Sequence, residues 1–322
     1  HFIVIANNAT KKSEKNIVTG NVKVVTARLE DAKFFYEEDL KVKLDTMVEG
    51  LKKVTYQEKI GTIYGKIERI VKISAWLADK LHLSAEDKKN VNRAAYIAKA
   101  DLNSKMVYEF PELQGIMGVY YAKAQGENAV VAEAVGDHWK PKFAGDNISK
   151  ISTVAAIVSI ADKLDSITSC FSAGLIPTSS SDPYALRRAA QGVVRIILEK
   201  KLDLSLSELI TYSLSLHQSE KLQKDIAQFV KGRLKFVLQE EEVRYDLIDS
   251  VLAVAHEDIV QAVHIGMALQ KAAKDKEFNK LVDTGVRVFR LSKEAKGLDI
   301  NENALVEEAE KNAYTALLSA EK

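Results

Sequence analysis

Apolar side chains recur at helical spacing along most of the chain. Residues 25–36 repeat them every three or four positions, and residues 60–77 carry a longer stripe with the same period. Residues 151–171 are apolar on nearly every side up to Asp162, which predicts a buried central helix. The pattern therefore predicts a mainly α fold built from many helices.

Two segments depart from this helical pattern. Residues 2–6 form a continuous apolar run with β-branched side chains, which predicts a short N-terminal β-strand left over from a preceding domain. The stretch LIPTSSSDPYALRRAA, residues 175–190, joins a proline, a serine run and an arginine pair. In that stretch we expect Asp182 to cap a helix and Pro183 to occupy its first position.

The charge of the chain is balanced. Lys and Arg together number 46 and Asp and Glu 45 in 322 residues, so nucleic acid would be bound by local basic patches rather than by an overall positive field. The single cysteine, Cys170, lies in an apolar run and fits a buried side chain in a reducing compartment. Since no apolar run approaches the roughly 18 residues of a spanning helix, we expect a cytoplasmic protein with no membrane partner. The first residue is His1 rather than Met, which suggests a piece of a longer polypeptide.

Basic residues gather at three places, each a candidate contact with RNA. In the helix expected after Pro183, Arg188, Arg195 and Tyr184 lie opposite the apolar face, with Arg187 at the flank. Arginine beside an aromatic ring suits phosphate and base contacts in RNA. The candidate RNA-binding residues of the three clusters are Arg187, Arg188, Arg195, Lys231, Arg233, Arg287 and Arg290.

Other roles for these arginines stay open at this point. Charged side chains often cover a solvated helix face without binding anything, and Arg187 would pair equally well with Asp162 or Asp165 of the preceding helix. A contact with another subunit is a third possibility.

Asp101, His138 and Asp162 lie on three successive helical segments. Their order resembles the metal ligands of HD phosphohydrolases, in which His and Asp side chains hold a divalent ion that activates water. Here Ala100 stands where the His of the His-Asp pair is expected, and residues 2–81 contain no His. The three positions therefore indicate a degenerate HD-like scaffold without metal, and a metal-dependent phosphohydrolase is the alternative.

No catalytic residue is expected in this chain. The serine run 179–181 has no neighbouring His, the sequence contains no G-x-S-x-G elbow, and Cys170 has no basic neighbour to activate it. The sequence also lacks a P-loop and a G-x-G-x-x-G motif. We therefore expect no cofactor bound to the chain itself.

Several blocks of sequence resemble the β subunit of the bacterial heterotetrameric glycyl-tRNA synthetase. The strongest is GLIPTSSSDPYALRRAAQGVVRIILE, where that family usually reads I-P-T-G-S-x-D-P-[FY]-A-L-R-R. Others are GNVKVVTARLEDAKFFYEEDL, YQEKIGTIYGKIERI, KADLNSKMVYEFPELQGIMGVYYA, IADKLDS and YDLIDSVLA, in the family's order along almost the whole chain. Ser179 stands where the family usually has Gly, and Val22 where Glu is common.

The resemblance implies a non-catalytic tRNA-binding and assembly role in a glycine–tRNA ligase. In that family the α subunit activates glycine with ATP and Mg²⁺ and transfers it, while the β subunit recognises tRNA. The implied partners are the α subunit, in a heterotetramer of two α and two β chains, and the tRNA for glycine, with no DNA. A scaffold that docks the α subunit and barely touches RNA is the alternative.

The resemblance also implies four regions. Residues 1–55 are the remnant of a preceding domain with a connecting helix, and residues 56–172 form the degenerate HD-like domain. Residues 173–238 form a helical linker, and residues 239–322 form a helical domain of the anticodon-binding type, which we expect to be incomplete.

Overall fold

The computed structural model describes residues 2–7, 9–143, 145–293 and 300–320. These residues form fifteen α-helices, five short 3-10 helices and one small antiparallel hairpin. The mainly α fold predicted from the sequence is confirmed.

The helices and strands are numbered in chain order. The first half of the chain contains α1 Glu14–Asp39, α2 Leu44–Gly50, β1 Thr55–Gln57, β2 Gly61–Thr62, α3 Ile63–Lys80, α4 Ala85–Ile97, α5 Lys105–Glu109, α6 Ile116–Ala124, α7 Ala129–Asp137 and α8 Thr153–Ser172. The second half contains α9 Leu186–Lys200, α10 Leu206–Ser215, α11 Gln223–Glu240, α12 Tyr245–Val254, α13 Ile259–Ala272, α14 Lys276–Ser292 and α15 Glu308–Ala320.

Helix α8 lies at the centre of the core. It packs against α3, α4, α7, α9, α10 and α11, and every residue from Val154 to Asp165 is buried. Each apolar side chain buried in this way contributes about 1.5–3 kcal/mol to folding. The buried central helix predicted from the sequence is confirmed, and Cys170 is buried in it.

Helix α3 carries the apolar stripe predicted for residues 60–77. Its first turn is capped by Thr62, whose side-chain oxygen accepts a hydrogen bond of 3.2 Å from the Gly65 N–H. Ile67, Ile70, Ile73 and Leu77 are fully buried along one face. Ile60, the first residue of the predicted stripe, lies instead in the turn between β1 and β2, so the helix starts later than the pattern suggests.

The β-strand predicted at residues 2–6 is not formed. Ile3 and Ile5 are 95% and 97% exposed, and none of the described residues pairs with this segment in a sheet. A strand needs a neighbouring strand to accept and donate its backbone hydrogen bonds. The prediction of an N-terminal β remnant is therefore wrong for the described residues.

Contacts divide the chain into a larger unit that ends at Ala268 and a smaller unit that starts at Leu269. The larger unit contains α1–α12 and most of α13, and the smaller unit contains α14 and α15. The predicted regions 1–55, 56–172, 173–238 and 239–322 stay a prediction.

None of the described helices is long and apolar enough to cross a membrane.

Candidate nucleic-acid interface

The serine run of residues 179–181 folds into a tight turn ahead of α9. Thr178 and Ser181 exchange backbone hydrogen bonds of 3.0 and 3.3 Å. The Asp182 carboxylate then accepts hydrogen bonds from the backbone N–H groups of Leu186 and Arg187, at 2.8 and 3.0 Å. Since no helix carbonyl reaches these first N–H groups, the carboxylate caps α9.

Helix α9 begins later than the sequence predicts. Pro183 lies in the turn, and Ala185, the residue before the helix, has a left-handed backbone with φ of +53°. A left-handed residue interrupts the helical path, so Asp182 caps the helix from across this kink. The predicted cap is confirmed, whereas the prediction that Pro183 is the first helical residue is wrong.

Arg187 makes its contacts within the same turn. Its guanidinium donates to the Thr178 carbonyl oxygen at 2.5 Å and lies 3.9 Å from the Asp182 carboxylate. The alternative in which Arg187 pairs with Asp162 or Asp165 is wrong, because its ion pair is with Asp182 instead.

Helices α9 and α11 and the loop after α7 line an open surface cavity of about 410 Å³. Four arginines and two aromatic side chains line it, with the arginines contributed by α9 and α11 and one ring contributed by the loop. These six residues are Phe143, Arg187, Arg188, Arg195, Arg233 and Phe236. We call this cavity the arginine pocket.

Positive charge exceeds negative charge around the arginine pocket. Glu240 is the one acidic residue among its described lining residues, and its carboxylate lies 2.8 Å from the Arg195 guanidinium. Arg233 lies over the Phe236 ring, 4.4 Å from the ring centroid. Burial and then the neighbouring Arg187 lower the pKa of Arg233. Guanidinium groups that line one pocket favour the binding of an anion.

The structure brings together part of the predicted RNA-binding set. Four of the seven residues line the pocket, namely Arg187, Arg188, Arg195 and Arg233. Lys231 lies on α11 but is not among the described lining residues, and Arg287 and Arg290 lie on α14 in the smaller unit. Contact of any of the seven with RNA stays a prediction.

Both aromatic rings of the pocket, Phe143 and Phe236, lie outside the residues predicted from the sequence. Phe236 follows Arg233 by three positions, which places the two side chains on the same face of α11. That spacing is the signal that identifies Phe236. Phe143 lies in an irregular loop, where no period applies. Tyr184, the ring expected to stack on RNA, is absent from the described pocket lining.

The three HD-like positions do not share one site. Asp101, the first of them, caps a helix. Its Oδ2 atom accepts hydrogen bonds from the backbone N–H groups of Gly115 and Gly118, at 2.6 and 3.0 Å. These groups belong to the first turn of α6, so Asp101 caps that helix. Burial raises the pKa of Asp101. Because its side chain serves α6, the residue is committed to structure rather than to a shared metal.

A lysine lies between the other two HD-like positions. The Lys99 ammonium is 3.0 Å from His138 Nε2 and 2.7 Å from Asp162 Oδ2. His138 Nδ1 lies 2.6 Å from the Val135 carbonyl oxygen, which fixes Nδ1 as the donor and leaves Nε2 to accept from Lys99. Burial and Lys99 hold the pKa of His138 well below its usual range, so the imidazole is neutral.

An ion cluster around α8 is formed by Lys66, Arg69, Lys99, Asp162 and Asp165. The Lys66 ammonium lies 3.0 Å from Asp162 Oδ1 and 3.2 Å from Asp165 Oδ2. Burial raises the pKa of Asp162, but Lys66 and Lys99 outweigh it and hold that pKa well below its usual range. Ammonium groups thus occupy both oxygens of Asp162, and the residues present do not fit a metal ion.

A family model described as glycyl-tRNA synthetase beta subunit matches residues 1–253. The chain belongs to this family. The resemblance found in the sequence is therefore confirmed, and the signature block of the glycyl-tRNA synthetase β-subunit family forms the turn and helix α9 that carry three arginines of the pocket.

Relatives within the glycyl-tRNA synthetase β-subunit family share about two residues in five with this chain. Proteins named glycine–tRNA ligase beta subunit from Shouchella clausii and Bacillus subtilis are each 39% identical, over 329 and 320 residues. One from Desulfitobacterium hafniense is 42% identical over 326 residues. Each match covers 99% of this chain and 46% or 47% of the relative. The chain thus spans about half the length of the curated relatives it matches.

Proposed function

We propose that this chain is a non-catalytic, tRNA-binding part of a glycine–tRNA ligase β subunit. In this proposal a separate α subunit activates glycine with ATP and Mg²⁺ and transfers it to the tRNA. The assembly contains two α and two β chains and works in the cytoplasm. The arginine pocket is the observation that carries the RNA-binding part of the proposal.

The arginine pocket supports RNA binding through its surplus of charge. Arg188 is exposed. Burial and then the Arg187 guanidinium lower the pKa of Arg233, and the Asp182 carboxylate offsets this only in part. Phosphate groups supply the missing negative charge, and arginine forks bind them through paired hydrogen bonds. Chains with a balanced net charge depend on such a local patch to hold nucleic acid.

A salt series on tRNA binding tests this function. Replacing Arg188 and Arg233 with Ala removes two phosphate contacts, so the slope of log affinity against log salt falls by about 1.5. The measurement is fluorescence anisotropy of labelled tRNA for glycine with the full chain, at several salt concentrations. The matched control is Lys221→Ala with Lys224→Ala, which removes two exposed charges next to or on α11. Equal slopes for the two variants, or no binding of tRNA by the unmodified chain, would contradict the proposal.

A metal-dependent phosphohydrolase is not supported. Such an enzyme needs a cation held between Asp101, His138 and Asp162, and Lys99 occupies the space between the last two. Asp101 meanwhile caps α6. We therefore propose no hydrolytic step for this chain.

Docking of the α subunit is a second candidate function, favoured by the surface of α1. Val18, Val22 and Leu29 are exposed and follow one another at helical spacing, which makes an apolar stripe on that helix. Replacing Val22 and Leu29 with Glu should abolish capture of purified α subunit while leaving tRNA affinity unchanged. Undiminished capture by this variant would rule the stripe out as the docking surface.

A further inference from the structure

The arginine pocket contains more than a phosphate site requires. Two aromatic rings, Phe143 and Phe236, line it at 61% and 48% exposure. Apolar rings of this size normally gain stability from burial, and exposed ones that line a cavity mark binding surfaces. Rings beside guanidinium groups match the two halves of a nucleotide, a flat base and a charged phosphate.

We infer that the arginine pocket holds one unpaired nucleotide of the bound RNA. In this arrangement Arg187 and Arg233 hold the phosphate, and the base stacks on Phe236. The inference rests on the proposed tRNA-binding function and adds that the RNA must present an unstacked base at this point.

The hydrogen-bonding state of Arg233 supports this assignment. Its Nε atom is buried and has no hydrogen-bond partner among the described residues. A buried donor without an acceptor is costly, so a shift of the Arg233 side chain that brings Nε to an incoming oxygen atom is favourable. Arg233 also lies over Phe236, so a phosphate at the guanidinium brings the attached base to the neighbourhood of the ring.

The volume and shape of the pocket favour a single nucleotide over a duplex. Pockets for small molecules have volumes of about 300–1,000 Å³, and this one measures about 410 Å³. In a duplex the bases are stacked and paired, so side chains reach the phosphates but not the base faces. A base inserted in the pocket must therefore come from a loop, bulge or single-stranded end.

A second cavity continues the same surface. It has a volume of about 340 Å³ and shares Pro141 and Arg188 with the arginine pocket. Trp139 and Lys142 also line it. Lys163 and Asp162 line it as well, so the RNA backbone next to the bound nucleotide would meet a further ring and a lining in which cations outnumber the one carboxylate.

Two variants separate the phosphate contact from the base contact. Phe236→Leu keeps an apolar side chain but removes the ring, so affinity for a short single-stranded RNA should fall about 10-fold, while the salt slope stays unchanged. Arg233→Gln should lower the affinity and also reduce the salt slope by about 0.7, the value for one phosphate of a single strand. Phe236→Tyr keeps the ring and should bind like the unmodified chain.

The experiment measures anisotropy of labelled single-stranded RNA with the full chain, and competition by tRNA for glycine and by a blunt RNA duplex of equal length. Tyr108→Leu is the aromatic control, because Tyr108 is 82% exposed and lies outside the described lining of both cavities. Circular dichroism checks that each variant is folded. We expect single strands to compete and the duplex to compete poorly.

The outcomes distinguish the two proposals. If the unmodified chain binds no tRNA, the proposed function fails. If it binds tRNA normally but Phe236→Leu retains full affinity, or the duplex competes as well as the single strand, only the inference of an unpaired nucleotide is overturned. If Tyr108→Leu weakens binding as much as Phe236→Leu, the assignment to this pocket is also overturned.

Discussion

Asp165 is a buried carboxylate with two cationic side chains and one histidine beside it. Its oxygen atoms lie 2.5 Å from Arg69 Nε, 3.2 Å from Lys66 Nζ and 3.5 Å from His217 Nε2. Burial by itself raises the pKa, but Lys66, His217 and Arg69 outweigh it and hold the pKa of Asp165 at about 2. An ordinary aspartate in the unfolded chain has a pKa of about 4.

Asp165 should therefore make stability depend on pH in the acid range. Because its folded pKa lies below the unfolded one, the stabilisation is complete above about pH 4 and is lost as the pH falls toward 2, a change of about 2 kcal/mol. Asp165→Asn should remove this dependence and lower stability at pH 7 by about 3–5 kcal/mol, since it leaves buried cations without a partner. Urea unfolding at a series of pH values measures both effects. Asp249→Asn, at an exposed site, is the control, and an unchanged acid dependence in Asp165→Asn would refute the assignment.

At the scale of single elements, the sequence predicts where helices lie better than where they begin. The apolar run of α8 gives its position directly, because a helix that is apolar on most sides must be buried. The start of α9 depends on Ala185, whose left-handed backbone no periodic pattern reveals. In the same way, the hairpin of β1 and β2 takes Ile60 out of the stripe that continues through α3.

A substitution at Asp182 tests the cap of helix α9. Asp182→Ala removes the acceptor of two backbone N–H groups and should destabilise the chain by about 1 kcal/mol. It should also weaken RNA binding at the arginine pocket, because the backbone N–H of Arg187 loses the hydrogen bond that fixes this end of the helix. Chemical unfolding and the anisotropy assay measure the two effects. Ser181→Ala, one residue away and exposed, should change neither the stability nor the RNA affinity. If it lowered stability as much as Asp182→Ala does, the cap assignment would be wrong.

At the scale of the whole molecule, the arginine pocket illustrates what a single sequence does not contain. Arg188 and Arg233 each belong to a basic cluster that is visible in the sequence. They line one pocket because α9 packs against α11. The spacing of apolar residues shows which face of a helix is apolar. It does not show which other helix packs against that face. Lys66 and Lys99 are hidden from sequence analysis for the same reason, since their partners lie on a distant helix.

The two units should differ in local stability. Helix α8 is buried almost throughout, whereas no residue of α14 is buried among those described. Amide hydrogens of α8 are expected to exchange only through global unfolding, and those of α14 orders of magnitude faster through local opening. Hydrogen exchange followed by mass spectrometry measures this, with the buried face of α3 as an internal reference. Equal protection of α8 and α14 would contradict the expectation.

The lysines of the ion cluster act as built-in counterions for the core. Lys66 and Lys99 supply positive charge to Asp162 as parts of the same polypeptide. A tethered cation cannot be diluted away, captured by a chelator or exchanged for a competing ion. The core around α8 thus carries its own counterions within the polypeptide, and Asp162 needs no ion from the surroundings to neutralise it.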